Sequence, residues 1–373
     1  MGKHMKKKPW KRMGITLLFS ALSAFLMTGC GKPDTAKQQA QEDANTIRVY
    51  LWTTNLLDEY APYVQSQLPD TNIEFIVGNN HLDYYTFLNE NGGLPDIITC
   101  CRFSLADAQP LKDSLMDLSQ TNVGGAVYNA YLANFTNQDG SVNWLPMAAD
   151  AHGFVVNRGL FEKYDIPLPT DYASFVSACQ AFEAQGIRGF TADYSHDYEC
   201  METLQGLSAS LLASSEGRKW RTEYSDPVNA EHVGLDEVVW PQAFETLAQF
   251  IEDTELRASD TNLIYDDIAE MFTSEQLAMY FGSAMGVQNF RDQGLDTIFQ
   301  PFFNQNGEQW LMTTPYFNVA LNKALEQDET RREKAIQVLN VMLSAEAQNI
   351  VCNRQDTLSY SQEVPLRLTE ALQ

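Results

Sequence analysis

Between residues 47 and 99 the chain switches repeatedly between two hydrophobic periods, and this constrains the fold more than any other feature. Ile47, Val49 and Leu51 alternate with Arg48, Tyr50 and Trp52, the period of a strand. A helical stretch follows around residues 57–67, then a second strand over Ile73 to Val77 and a helix around residues 84–89. A Gly92-Gly93 turn leads into a third strand at Pro95-Asp96-Ile97-Ile98-Thr99. Strands that alternate with helices pair in parallel through right-handed crossovers, so the pattern predicts an α/β protein with a parallel sheet. Ligands of such sheets gather outside the carboxyl ends of the strands. Those ends are Trp52 to Asn55, Asn79 to His81, and Cys100 to Arg102.

Further on, Trp144-Leu145-Pro146-Met147 opens an extended segment that runs through Phe154-Val155-Val156-Asn157 into a short helix at residues 160–164. Pro167 and Pro169 break it. Thr170 can then cap a helix with Tyr172, Phe175, Val176, Cys179 and Phe182 on one face. Helical patterning recurs over residues 200–214, 241–254 and 265–273, and Ala335, Ile336, Leu339, Met342 and Leu343 form a last amphipathic stripe. Roughly 320 residues follow the first strand's start, above the usual size of one core, so two lobes are expected.

The first thirty residues have a different make-up. Lys3, Lys6, Lys7, Lys8, Lys11 and Arg12 form a cationic start, and Gly14 to Met27 is apolar and uncharged. That stretch falls short of the about 20 residues a permanent span needs but suits the core of a secretory signal. Thr28 and Gly29 lead into Cys30. The arrangement resembles the lipobox of bacterial lipoproteins, whose cysteine is diacylated and becomes the first residue of the mature protein. Met27 stands where that motif most often has Leu, and the alternative is an ordinary signal peptide with a chance cysteine. Two acyl chains anchor stably where one binds only marginally. Gly31 to Thr46 holds no large apolar side chain, so a tether is expected there.

Removal of a leader ending at Gly29 leaves 19 basic residues against 49 acidic ones, which takes the net charge from −24 to −30. Such a surface repels phosphate backbones and anionic headgroups, which argues against nucleic-acid binding and leaves the lipid as the membrane contact. Cys100 and Cys101 are adjacent, Cys179 lies on an apolar stripe, and Cys200 and Cys352 are isolated. No disulfide framework or zinc spacing can be read from them, and burial as small apolar side chains is expected. The chain contains no Gly-x-Ser-x-Gly elbow, His-Glu-x-x-His pair or Gly-rich phosphate loop. No enzyme activity and no cofactor are expected.

A series of short motifs begins with Leu94-Pro95-Asp96-Ile97-Ile98. Leu145-Pro146, Gly153 through Arg158, Leu160 through Lys163, and Ile166 with Pro167, Pro169 and Thr170 follow. Gly186-Ile187, Phe272, Ala278-Met279, Gly282 and the run from Ala335 to Gln348 complete it. Their order is similar to that of the family 1 extracellular solute-binding proteins of ABC importers, the group with the maltose- and oligosaccharide-binding members. The resemblance implies a two-lobed periplasmic-binding-protein-like fold of type II, with a ligand cleft between lobes joined by strands that cross more than once. Residues 145–157 would be the first crossing and 313–321 the return. The expected organisation is a signal peptide over 1–29, the lipidated Cys30 and tether over 30–46, and a first lobe from 47–150 plus 313–350. The second lobe would be 151–312 plus 351–373, truncated at its end relative to members that continue with further helices.

The same resemblance implies where the ligand contacts lie. Asp150, seven residues before Asn157, stands where maltose-type members place an acidic contact; the alternative is a solvated loop carboxylate. His152 shares its face at strand spacing. Arg102 keeps the chemistry of an arginine that members carry after the third strand, with a surface ion pair as its alternative. Tyr194 and His196 occupy a polar loop where members present an aromatic contact. His196, Asp197 and Glu199 lack a second His at helical spacing, so no metal site is expected. Trp52 ends the first strand and Asn55 follows it, with a core position as the alternative for Trp52. Ser283 stands after Gly282, where members commonly follow with a stacking Trp that this chain lacks, and Tyr316 in the return crossing can face the cleft.

The implied function is capture of a carbohydrate, foremost an oligosaccharide, by hinge closure, with delivery to an ABC permease by a protein anchored to the outer face of the cell membrane. A peptide, polyamine or anion as solute on the same scaffold is the alternative, and a secreted glycan-active enzyme is the rival class.

Overall fold

A computed structural model describes residues 46–101, 109–123, 125, 127, 129–224, 233–355 and 357–364. The signal segment, Cys30, the tether before Thr46, and Arg102 lie outside the described residues.

The first strand–helix alternation folds as expected. β1 (Thr46–Leu51), α1 (Tyr60–Gln67), β2 (Asn72–Val77), α2 (Leu82–Glu90) and β3 (Ile97–Cys100) follow in order. β1 pairs in parallel with β2, Ile47 opposite Ile73, and with β3, Val49 opposite Ile97. The Leu94-Pro95-Asp96 motif now has a physical reason. Asp96 is buried and accepts from the Arg48 backbone N–H at 2.8 Å and from Arg331 Nε and Nη2, each at 2.8 Å. A carboxylate held by a guanidinium fork and a backbone donor is among the strongest polar contacts a fold can make.

β4 (Leu145–Asn157) is thirteen residues long and buried throughout. Along the chain follow α3 (Arg158–Tyr164), α4 (Tyr172–Glu183), β5 (Arg188–Thr191), α5 (Asp197–Leu207), α6 (Ser215–Tyr224), α7 (Trp240–Asp253), α8 (Tyr265–Thr273), β6 (Leu277–Ser283), α9 (Met285–Asp292) and β7 (Thr297–Gln300). A two-stranded ribbon, β8 (Phe302–Phe303) and β9 (Gln309–Trp310), precedes β10 (Met312–Leu321), and α10 (Glu329–Met342), α11 (Ala345–Gln355) and β11 (Leu358–Ser359) end the described chain. The large sheet runs β2-β1-β3-β10-β4-β6-β5, with β7 and β11 also on β4. The first half of β4 pairs with β10 and β11, and its second half with β6 and β7, all antiparallel.

β4 therefore enters two cores. Leu145, Met147 and Ala148 pack with Val49, Leu51, Val338 and Leu339 in the first, whereas Phe154 and Val156 pack with Phe175, Phe190 and Phe250 in the second. Because residues alternate across a strand, the strand that links the cores also has a stretch of side chains between them.

Some local expectations change. The cap of α4 is Asp171, not Thr170: its carboxylate accepts from Ser174 N–H at 2.8 Å in a capping box, and Thr170 instead donates its own N–H to Ser174 Oγ. Cys200 is exposed, while Cys100, Cys101, Cys179 and Cys352 are buried. Successive strand residues face opposite ways, so Cys100 and Cys101 join different clusters. The stretch after residue 350, assigned above to the second lobe, contributes Val351 to the first core, and Tyr360 stacks on Tyr131 at 3.9 Å beside Val127 and Ala149. The antiparallel pairing of β11 with Ala148 and Ala149 pulls it there.

Candidate functional site

Asp150 and His152 project from the same face of β4, in the stretch between the two cores. Neighbouring strands bring polar partners to that face, with Thr314 of β10 opposite Asp150 and Ser283 of β6 opposite His152. Ser283 Oγ donates to Asp150 Oδ1 at 2.6 Å, and Asp150 Oδ2 lies 3.0 Å from His152 Nε2. On the other side of the ring, His152 Nδ1 is 2.7 Å from Oε2 of Glu202, which comes from α5. Thr314 Oγ1 is 3.3 Å from Nε2. Met285 donates its N–H to Ser283 Oγ at 3.0 Å, which ties the start of α9 to the same chain of contacts.

Asp150 and His152 are both fully buried. Burial by itself works against charge on the imidazole, but hydrogen bonds to Asp150 and Glu202, and the field of both carboxylates, outweigh it. The pKa is raised from 6.5 to about 9. Carboxylates on both sides of the ring thus favour the protonated imidazole, Asp150 beside Nε2 and Glu202 beside Nδ1.

These residues sit at the edge of a cavity of about 640 Å³. On the side of the first core, Asn55, Cys101 and Tyr316 line it; on the side of the second stand Asp193, Tyr198, Glu199, Tyr265 and Phe281, with Tyr280 from a neighbouring apolar cluster and Gln288, Asn289 and Asp292 from α9. Tyr316 owes its position to a bulge. Pro315 pairs with Ala149 and Phe317 with Ala148, so the register of β10 on β4 shifts across Tyr316. Pro315 cannot donate to the ladder, and the extra residue re-aims its side chain. Its ring lies edge-on to Trp52, with centroids 5.0 Å apart. Cys101 is fixed by Asn80, whose side chain accepts its N–H at 2.6 Å and donates to its carbonyl at 2.8 Å. In β6, the Tyr280 ring lies over Gly282, where a Cβ would come within 2.5 Å of Cε2, so only glycine leaves that ring in place. The Tyr280 hydroxyl hydrogen-bonds that of Tyr265, and burial pushes both phenols up.

Of the residues read from the sequence, Asp150, His152, Ser283, Tyr316 and Asn55 line this cavity together. Trp52 stands behind Tyr316 as its support. Tyr194 lines a different, largely apolar cavity of about 390 Å³ with Leu247, Ile251 and Leu256, and its hydroxyl accepts from Thr203 Oγ1 at 3.4 Å. His196 is half exposed just before α5 and contacts Asp193 Oδ1 at 2.8 Å. Among the described residues no group of three or more His, Cys, Asp or Glu side chains is placed to hold a metal ion. The sequence reading missed Glu202, Tyr265, Tyr280 and Asp292. Glu199 and Glu202 are three apart, which puts them on one helical face, but nothing local says that this face meets β4.

Two cores joined by β4 and β10, with a polar, ring-walled cavity beside the crossing, define a two-lobed solute-binding fold. The sequence profile of the bacterial extracellular solute-binding protein family matches residues 96–369, and the chain belongs to that family. The family is one of binding proteins that work outside the cytoplasm, and no helix among the described residues is long and apolar enough to cross a membrane. Similar folds occur in a family 1 extracellular solute-binding protein from Bifidobacterium longum subsp. infantis (16% identity, 88% of this chain and 84% of that one, TM-score 0.66). RafE from Streptococcus pneumoniae in complex with raffinose is similar at 14% identity, over 86% and 84% of the two chains, with a TM-score of 0.64. MalX from the same species in complex with maltopentaose is similar at 15% identity, over 85% and 82%, with a TM-score of 0.62. No curated protein sequence matches this chain.

Proposed function

We propose that this chain captures a carbohydrate, foremost an oligosaccharide, in the cavity beside β4 and hands it to an ABC permease, while diacylated Cys30 holds it at the outer face of the cell membrane. The observation that carries the reading is the make-up of the cavity wall. Sugars present C–H faces that pack on flat rings and adjacent hydroxyls that pair with planar polar groups. Tyr198, Tyr265, Tyr280 and Tyr316 supply rings, and Asn55, Gln288, Asn289 and the carboxylates supply planar partners. Raffinose in RafE and maltopentaose in MalX support it by likeness of fold. Contacts come from both cores, so a solute between them favours an arrangement that brings the two sides together, and closure follows from binding both at once. No catalytic step is assigned to the site.

A thermal-shift screen of the full chain in detergent against mono-, di- and oligosaccharides tests this. A true ligand at a hundred times its Kd adds about 2.7 kcal/mol of stability. Shifts with a peptide or anion and none with any glycan would overturn the carbohydrate reading. For the anchor, Cys30→Ala should move the protein from the membrane fraction to the medium.

A further inference from the structure

The smaller cavity, of about 390 Å³, has a chemistry of its own. Leu247 and Ile251 of α7, Leu256, and the 3₁₀ turn Ala258–Asn262 wall it together with Tyr194, and Cys200 and Thr203 of α5 complete the lining. Because Tyr198 and Glu199 line the larger cavity, α5 is a wall of both. Leu247, Leu256 and Tyr194 are partly buried and pack on the second core, whereas Ile251 and Ala258 at the rim are exposed. The volume lies at the low end of the about 300–1,000 Å³ range of small-molecule sites. Apolar side chains left open to water in a concavity of that size lose their wetted surface when a compact molecule enters.

The polar groups of the wall decide what kind of molecule that is. Arg188 bridges Glu183, at 3.0 Å, and Asp260, and Arg257 Nη2 holds the second oxygen of Glu183 at 2.6 Å. The Arg257 backbone N–H donates to Asp260 at 2.8 Å. Two charges of each sign thus meet beside the cavity, and their sum selects no ion. Thr203 Oγ1 donates to the Tyr194 hydroxyl at 3.4 Å, and Cys200 Sγ to the Tyr194 carbonyl at 3.9 Å. A hydroxyl-rich solute would give up its water here for groups that already hold partners, which is unfavourable. What the wall does offer is flat and polarisable. Sulfur, as in Cys200, packs well at the edge of a ring, and a guanidinium bonded along its edge, as in Arg257, still stacks through its face. An aliphatic molecule of equal bulk gains neither contact.

We propose that this cavity is a second ligand site, one that takes a neutral, compact aromatic molecule of one or two fused rings, packed on Leu247, Leu256 and Tyr194 beside Cys200 and Arg257. The inference goes beyond the carbohydrate reading and does not depend on it.

The test uses Cys200, the exposed one of the five described cysteines. The full chain carrying Cys30→Ala is used, so that no micelle competes for an apolar probe. Alkylation of Cys200 by iodoacetamide is followed by peptide mass mapping with indole or 2-naphthol present. Cyclohexanol serves as the neutral aliphatic and naphthalene-2-sulfonate as the anion, and calorimetry gives each affinity. Indole should bind with a Kd on the order of 0.1–1 mM, about fivefold more tightly than cyclohexanol. At ten times its Kd it should slow alkylation of Cys200 about tenfold, in step with the fraction of sites left open. Ile251→Glu, at the exposed rim, should abolish both binding and protection, with the unfolding transition measured alongside. If that variant does not fold, Ala258→Trp, also at the rim, fills the cavity and should do the same. Absence of binding by both aromatics, binding and protection that persist in a folded rim variant, or equal binding of cyclohexanol or the sulfonate overturns the inference. The carbohydrate reading stands or falls separately, by its own thermal-shift screen.

Discussion

The two sides of the cavity are built from different materials. The side next to the first core presents Asn55, Cys101 and Tyr316, none of them charged, whereas the opposite side presents Asp193, Glu199 and the rings of Tyr198, Tyr265 and Tyr280. Their interiors differ in parallel. Behind the first side, Val338, Leu339, Met342 and Val351 pack on the aliphatic residues of β1. Behind the second, Phe154 lies 4.6 Å from Phe175, 5.0 Å from Phe302 and 5.6 Å from Phe190, centroid to centroid. Interlocked rings hold one another's orientation, while aliphatic side chains of similar volume can repack at modest cost. The side with directional, charged groups thus stands on the less adaptable core, and the side with a flat ring and a neutral amide stands on the more adaptable one.

The contrast can be broken most sharply at the cores. Phe154→Ala should cost about 4 kcal/mol in urea unfolding, more than the about 3 kcal/mol expected for Leu339→Ala in the first core. The opposite ranking would end the idea of a stiffer second side. Next in size is the link between the sides, His152. Its raised pKa gives stability that is fully present below 6.5 and is lost as pH climbs through about 9. The loss should be on the order of 3 kcal/mol. His152→Gln should flatten that alkaline slope, and a wild-type stability that stays level from pH 6.5 to 9 would show that the two carboxylates do not hold the proton.

Smaller effects sharpen the comparison at the cavity wall, read as affinity for whichever glycan raises the melting temperature. Tyr198→Ala, an exposed ring on the second side, should weaken binding about tenfold. Asn55→Ala, an exposed amide on the first side, removes one hydrogen-bonding group and should weaken it about threefold. Equal losses, or a larger loss for Asn55, would shift recognition toward the first side.

Much of this was legible in the chain itself. The strands read at Ile47, Ile73 and Ile97 became the parallel strands, because strands alternating with helices leave few other ways to bury both faces. Asp150, His152 and Ser283 were readable from motif position and do line one cavity. Tyr194 was also read as a ligand contact, yet it faces another cavity, and Trp52, read as either a ligand contact or a core residue, backs Tyr316 against the first core. Residue type and spacing give a ring's presence but not its direction, which a single bulge or loop turn can reverse. Pro315 was a visible sign of such a bulge, since proline inside a strand pattern seldom sits in a regular ladder.

By itself, the sequence determined the strand and helix order, the family, and the placing of Asp150 and His152 on one face of a long crossing strand. Those follow from local periodicity and from short motifs, which act over a few residues. Only the tertiary structure decided that Glu202, fifty positions beyond His152, closes the other side of its ring, and that Asp292 and Tyr265 share a cavity with Asn55. Such meetings depend on how helices dock across β4, and that docking is set by the sum of many apolar contacts rather than by any residue that announces it.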